Sequence, residues 1–208
     1  MPGLLLAGGP DPSPIELRPR AVPYNLYPEI QRDGHSCGYL AMAAIYRSYG
    51  LNFRKARLKH RLGTDVPAVP FLEDTNGTIQ PDLFRVLLQD GFEGRVVAPA
   101  DADDREDLIE HLEGPHYALT LIKRKATGSL HWIVLTDYHK ANVMVADSLI
   151  RGKRRHNLAK FAEEEILSSI LLKPASTSEY HKPTFAFSAP HAKGVYYMIS
   201  TFFQSLFK

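Results

Sequence analysis

The sequence predicts an α+β protein in which helices precede an antiparallel sheet. Residues 38–49 and 78–92 carry apolar side chains at helical spacing, and each stretch meets a glycine at its end, Gly50 or Gly91. From residue 117 onward the pattern changes to short segments rich in β-branched and aromatic residues, separated by polar turns. Helices followed by a run of strands are typical of layered α+β domains.

The helical part is predicted to contain three helices. The apolar positions of the first, over residues 38–49, are Leu40, Ala41, Ala44, Ile45 and Tyr49. The second, over residues 78–92, has Pro81 near its first turn, where a missing N–H costs little. A third helix is expected over residues 104–112.

The sheet is predicted to start with three strands joined by the polar turns 125–129 and 139–142. These strands cover residues 117–124, 130–138 and 142–148. A helix at 157–167 and a strand at 168–174 follow, and Pro174 ends that strand because proline donates no ladder hydrogen bond.

The composition is that of an ordinary soluble globular domain and argues against several functional classes. A net charge of +2 is too small to indicate a nucleic-acid or membrane surface, and the basic run at 151–156 is interpreted as a solvated loop. No window reaches the length of a membrane span. The N-terminus lacks a signal-peptide pattern, so the protein is expected in the cytoplasm, or to enter a target cell without a cleaved signal.

The one cysteine of the chain, Cys37, stands immediately before the first predicted helix. A helix N-terminus favours a thiolate, and Gly38 would leave room for a substrate carbonyl to approach the backbone. Gln31 could return an amide to the same place as an oxyanion donor beside the Cys37 N–H. The alternative is a buried, inert thiol. A metal pair of Cys37 and His35 has no second ligand cluster, so neither a metal nor a cofactor is predicted.

Of nine histidines, His131 is the best candidate for a general base. It lies near the start of the second predicted strand, at the end of the sheet, and the hairpin that follows is expected to bring Asp147 back toward it. A carboxylate in that position can hold the imidazole in one tautomer. Asp137 is the rival orienting group, but it lies near the far end of the hairpin.

Together these motifs resemble the papain-like C39 peptidases, the bacteriocin-processing peptidases that cut after paired glycines. The first matching feature is a glutamine six positions before Cys-Gly at the start of the small-residue helix. The helical segment "GTIQPDLFRVLLQDGF" follows it, and "HWIVL" and "VMVAD" then form a hairpin. The resemblance covers about residues 24–174 and implies a papain-like α+β fold.

Carried over by position, the resemblance makes Cys37 the nucleophile, His131 the base, Asp147 the orienting acid and Gln31 the oxyanion donor. Gly38 and Trp132 are expected to line the substrate cleft beside them. The chain departs from the family pattern in having Ser36 before the cysteine, where an acidic residue is usual. It also has Ser148 after the aspartate, where proline is usual.

The resemblance implies a cysteine endopeptidase whose partner is a protein or peptide containing Gly-Gly. No "GxxxxGK[ST]" motif occurs and no transmembrane bundle follows, so a stand-alone enzyme is expected, as a leader-processing protease or an interbacterial toxin effector. The toxin alternative implies an immunity protein that covers the active site. Two further alternatives are a Cys-His-Asp amidase or acyltransferase, and a non-catalytic leader-binding module.

The chain is expected to divide into three parts. Residues 1–23 are predicted to form a flexible arm, and residues 24–174 the peptidase-like domain. Residues 175–208 are predicted to form an extension with an amphipathic helix at 194–208, for which docking on its own domain is favoured over binding a partner.

Overall fold

The structure, a computed structural model, describes residues 19–69 and 71–175. Most of the predicted arm and the predicted helix at 194–208 lie outside the described residues. Where the arm is described, it contacts the domain: the Arg20 N–H donates to the Tyr49 carbonyl, and the Arg20 guanidinium lies 4.4 Å from the Tyr24 ring centroid. The contacts with the domain therefore begin before residue 24.

The described residues form five α-helices and one short 3₁₀ turn, Glu73–Thr75. The helices are α1 (Cys37–Ser48), α2 (Lys55–Arg61), α3 (Gln80–Gln89), α4 (Ala102–Glu113) and α5 (Leu158–Glu164). The predicted helices at 38–49, 78–92, 104–112 and 157–167 correspond to α1, α3, α4 and α5 with shifted ends. The sequence pattern does not indicate α2, which is short and buries only Leu58.

Within the described part of the chain, six strands form one antiparallel sheet in the order β1-β6-β2-β3-β4-β5. They are β1 (Phe92–Val97), β2 (Tyr117–Lys123), β3 (Leu130–His139), β4 (Asn142–Ala146), β5 (Lys153–Asn157) and β6 (Ile166–Pro174). The three consecutive strands predicted from residue 117, and the strand that ends at Pro174, are all present.

Two strands escaped prediction, and both lie at edges of the sheet. In β1 the middle residues are Glu93, Gly94 and Arg95, so the strand has little β-propensity of its own. The interpretation of residues 151–156 as a solvated loop is corrected by β5, whose residues from Lys153 onward pair with β4. Backbone pairing with a buried neighbour, and not side-chain pattern, defines these edge strands.

The sheet separates two apolar layers because its side chains alternate between faces. Trp132 and Val134 join the cluster that contains α1 and α3, whereas Ile133 and Leu135 join the cluster that contains α4 and α5. Helix α1 is buried along nearly its whole length, as expected for a helix that is apolar and small all round. The core thus fixes the N-terminus of α1 against the sheet.

Candidate active site

Cys37 is the first residue of α1 and is buried, with 8% of the residue exposed. The loop before it is shaped by Asp33, whose Oδ1 accepts the N–H groups of His35 at 3.0 Å and Ser36 at 2.7 Å. Burial disfavours the charge of Asp33, but these donors and the Ser36 hydroxyl hold its pKa below the usual value. Asp33 therefore orders the turn that delivers the thiol, a role the sequence reasoning missed.

His131 and Asp147 meet at one end of the β3–β4 hairpin. His131 Nε2 donates to Asp147 Oδ1 over 2.6 Å, and the same oxygen accepts the Leu149 N–H at 2.8 Å. Antiparallel pairing of Val134 with Ala146 sets this register. The carboxylate is thus held on two sides and fixes the orientation of the imidazole.

The thiol of Cys37 forms a hydrogen bond with His131. Because Asp147 occupies Nε2, the Nδ1 atom is the one left for the sulfur. Burial alone would lower the pKa of His131, but the hydrogen bonds with Asp147 and Cys37, and the charges of these two groups, raise it to about 9. The three side chains therefore form a continuous chain in which the imidazolium is stabilised.

Asp147 has the electrostatics of an ionised partner, and Asp137 lies elsewhere. Burial opposes the charge of Asp147, yet hydrogen bonds from His131 and the Leu149 N–H keep its pKa below the ordinary value. Asp137 is largely exposed and accepts from Thr136, with Lys153 Nζ 3.6 Å away. Geometry therefore separates the two carboxylates that the sequence offered.

Gln31 is held near the His131–Asp147 pair by its contacts with Ser148, the residue after Asp147. Its N–H donates to the Ser148 carbonyl at 2.7 Å, and its Oε1 accepts the Ser148 hydroxyl at 3.2 Å. Its Nε2 donates to the Asp33 carbonyl at 2.7 Å. The carboxamide is thereby held between the nucleophile loop and the end of β4.

Gly38 and Trp132 are both buried in the packing beneath the site. A Cβ on Gly38 would lie 2.8 Å from Thr78 Cβ and 3.1 Å from Trp132 Cδ1. The indole N–H donates to the Thr78 carbonyl at 2.9 Å. Close packing of α1 on Thr78 and Trp132 gives this position a structural need for glycine, and the approach of a substrate carbonyl to Gly38 stays a prediction.

His35 is turned toward the loop that follows α2, and its Nε2 lies 3.0 Å from Asp65 Oδ1. Within residues 19–69 and 71–175, no group of three or more His, Cys, Asp or Glu side chains is arranged to hold a metal ion. The chemistry available at this site is that of a thiol, an imidazole, a carboxylate and nearby amide donors, the set required for acyl transfer through a thioester.

The sequence matches the family model of the peptidase C39 family over residues 25–177, most of the chain. Among curated proteins, none matches the sequence. None of the helices in the described part of the chain is long and apolar enough to cross a membrane.

The solved structures that are similar to this fold include two with a TM-score above 0.5. The first is the peptidase domain of Streptococcus ComA, a bifunctional ABC transporter of a quorum-sensing pathway. It is 21% identical with a TM-score of 0.53, and the match covers 72% of this chain and 99% of that chain. The second is a double-glycine-motif protease from an AMS/PCAT transporter in complex with its leader peptide. It is 14% identical with a TM-score of 0.52, and the match covers 76% of this chain and 99% of that chain. The predicted papain-like α+β fold is confirmed.

Proposed function

The chain belongs to the peptidase C39 family of cysteine peptidases, and on this premise we propose that it cleaves peptide bonds after paired glycines. The observation that carries the proposal is the hydrogen-bonded chain of Cys37, His131 and Asp147. In this proposal Cys37 is the nucleophile, His131 the acid and base, and Asp147 the group that orients the imidazole.

The first half-reaction forms a thioester. The Cys37 sulfur attacks the carbonyl carbon of the second glycine as its proton passes to His131, and the carbonyl oxygen becomes an oxyanion. The Cys37 N–H and the Gln31 carboxamide donate to that oxygen. Collapse of the intermediate breaks the C–N bond, and the proton on His131 passes to the departing amine.

The second half-reaction releases the acid product. Water enters where the amine left, and neutral His131 takes a proton from it as it attacks the thioester. The oxyanion forms in the same place and uses the same donors. The C–S bond then breaks, and the proton held by His131 is again shared between the imidazole and the sulfur, as at the start of the cycle.

The depth of the reacting groups supports the glycine preference. Only 8% of Cys37 and 4% of His131 are exposed. To reach the sulfur, the backbone of a substrate must therefore approach the surrounding protein atoms closely. A segment without Cβ atoms can approach most closely and adopts extended conformations easily. The AMS/PCAT transporter enzyme, of the same fold, is named a double-glycine-motif protease.

A peptide series tests this proposal. Wild type and Cys37→Ala would be incubated with an internally quenched peptide that contains Gly-Gly, and with matched peptides in which either glycine is alanine. We expect cleavage after the second glycine by wild type only, and a loss of kcat/KM of at least about a hundredfold for each alanine peptide. Efficient cleavage of an Ala-Ala peptide would contradict the glycine preference while leaving the cysteine-peptidase assignment intact.

The biological setting remains a prediction. Leader processing and toxin action differ in the substrate, and independence from an exporter is expected in both. Comparison of new protein N-termini in cells that express wild type or Cys37→Ala would identify the substrate. Gly-Gly sites in secreted-peptide precursors support processing, and sites in essential proteins of other cells support a toxin with an immunity partner.

A further inference from the structure

Ser148 is the residue through which the nucleophile loop and the end of β4 are joined. It is buried, with 3% exposed, although it stands next to the partly exposed Leu149. The Ser148 carbonyl accepts the backbone N–H of Gln31 at 2.7 Å, and the Ser148 hydroxyl donates to the side-chain Oε1 of Gln31 at 3.2 Å. Two hydrogen bonds thus connect residues that are 117 positions apart in the sequence.

These contacts determine which way the Gln31 carboxamide faces. The Asp33 carbonyl only accepts, so the atom 2.7 Å from it must be the amide nitrogen. The amide oxygen therefore faces Ser148, whose hydroxyl can donate. The nitrogen carries two hydrogens, and the bond to Asp33 requires one, which leaves the other for an oxyanion.

We propose that Ser148 is a positioning residue for catalysis. Its hydroxyl holds the Gln31 carboxamide so that the second N–H of that carboxamide points at the oxyanion. This inference rests on the proposed oxyanion role of Gln31. An oxyanion donor acts in the transition state only when it is already oriented, so loss of the Ser148 hydroxyl should lower kcat. The backbone bond between the two residues remains in such a variant, so the loop should stay in place.

The test is a double-mutant cycle on the quenched Gly-Gly peptide. Ser148→Ala should lower kcat by about threefold to tenfold, the scale of one neutral hydrogen bond, with KM unchanged within about twofold. In a Gln31→Ala background, Ser148→Ala should cause no further loss, because the group that it positions is gone. Gln31→Glu keeps an acceptor for Ser148 but lacks the N–H donors, so it should behave as Gln31→Ala does.

A matched control comes from Ser169 on β6. Its hydroxyl is fully buried and lies 2.9 Å from the Thr120 hydroxyl, on the face of the sheet opposite α1. Ser169→Ala therefore removes a buried hydroxyl contact without touching Gln31, and its kcat should equal that of wild type. Thermal unfolding and titration of the reactive thiol would normalise all variants to folded, active enzyme.

Any one of the following outcomes would overturn the inference. If Ser148→Ala causes the same fold-loss with and without Gln31, the hydroxyl does not act through the carboxamide. If the loss disappears in an Asp147→Asn background instead, Ser148 acts through the aspartate. If Gln31→Ala retains wild-type kcat, the oxyanion role itself is wrong and the inference falls with it.

A second variant serves if Ser148→Ala does not fold. Ser148→Thr keeps the hydroxyl and should have the kcat of wild type. A folded Ser148→Thr variant with a lowered kcat counts against the inference.

Discussion

His131 Nε2 and Asp147 Oδ1 lie 2.6 Å apart, although the two residues are separated by 16 positions. The hairpin formed by β3 and β4 makes this contact, because the second strand of an antiparallel pair ends beside the start of the first. The aspartate therefore holds the imidazole from the side opposite the thiol, and the pKa of His131 rises to about 9.

Removing the charge of Asp147 should change the pH profile of the enzyme. Asp147→Asn lacks the carboxylate that helps to keep His131 protonated, so the alkaline limb of kcat/KM should move from near pH 9 to lower pH. The profile would be measured with the Gly-Gly peptide between pH 5 and pH 10. Asp137→Asn is the matched control, since this exposed carboxylate lies beside Lys153, and its profile should match that of wild type. An unshifted limb in Asp147→Asn would contradict the orienting role.

Loss of the thiol or of the imidazole should abolish turnover. Cys37→Ala and His131→Ala should each lower kcat by several orders of magnitude, because the residues act as one unit. His35→Ala is the control: this histidine lies two positions from the thiol but contacts Asp65, so most activity should remain. Folding of each variant would be checked by circular dichroism. A Cys37→Ala variant with a tenth of wild-type activity would show that another group is the nucleophile.

The packing of α1 predicts that Gly38→Ala destabilises the fold. The new Cβ would be 2.8 Å from Thr78 Cβ, and neither that atom nor Trp132 can move without disturbing a buried contact. The free energy of unfolding should fall by about 1–3 kcal/mol, as for overpacked cores, in urea titrations. Gly34→Ala has no atom within 4 Å of the new Cβ and should change stability little. Equal stability of the two variants would contradict this account.

The raised pKa of His131 also predicts how stability depends on pH. The folded-state pKa is about 9 and the unfolded value about 6.5, so the folded state binds the proton more tightly. This contribution to stability is complete below pH 6.5 and is lost as the pH rises through 9. Urea unfolding of wild type should therefore show a larger loss of stability between pH 6 and pH 9.5 than that of His131→Ala. Equal losses would mean that His131 has an ordinary pKa in the folded protein.

Sequence pattern was sufficient for the elements that have a periodicity of their own. Helix α1 and strands β2 and β3 are apolar and are buried on both sides or nearly so, and their residue types alone favour those conformations. The charged edge strands β1 and β5 have no such pattern, because their conformation depends on hydrogen bonds from β6 and β4. Prediction from side chains therefore failed where backbone pairing decides the structure.

The sequence by itself determined which residue types could carry the chemistry and which of them a hairpin would bring together. One cysteine before a small-residue helix, and a histidine and an aspartate at matching ends of two adjacent strands, are local features that spacing reveals. Only the tertiary structure decided that Ser148 anchors Gln31, that Asp33 shapes the loop before Cys37, and that Gly38 packs against Thr78. The Asp33 turn is local, since the His35 and Ser36 N–H groups donate to the Asp33 carboxylate, but it has no periodicity by which the sequence would reveal it. The Ser148 anchor and the Gly38 packing join segments far apart in the chain. Such contacts are set by how the layers pack on each other, and packing leaves no periodic signal in the sequence.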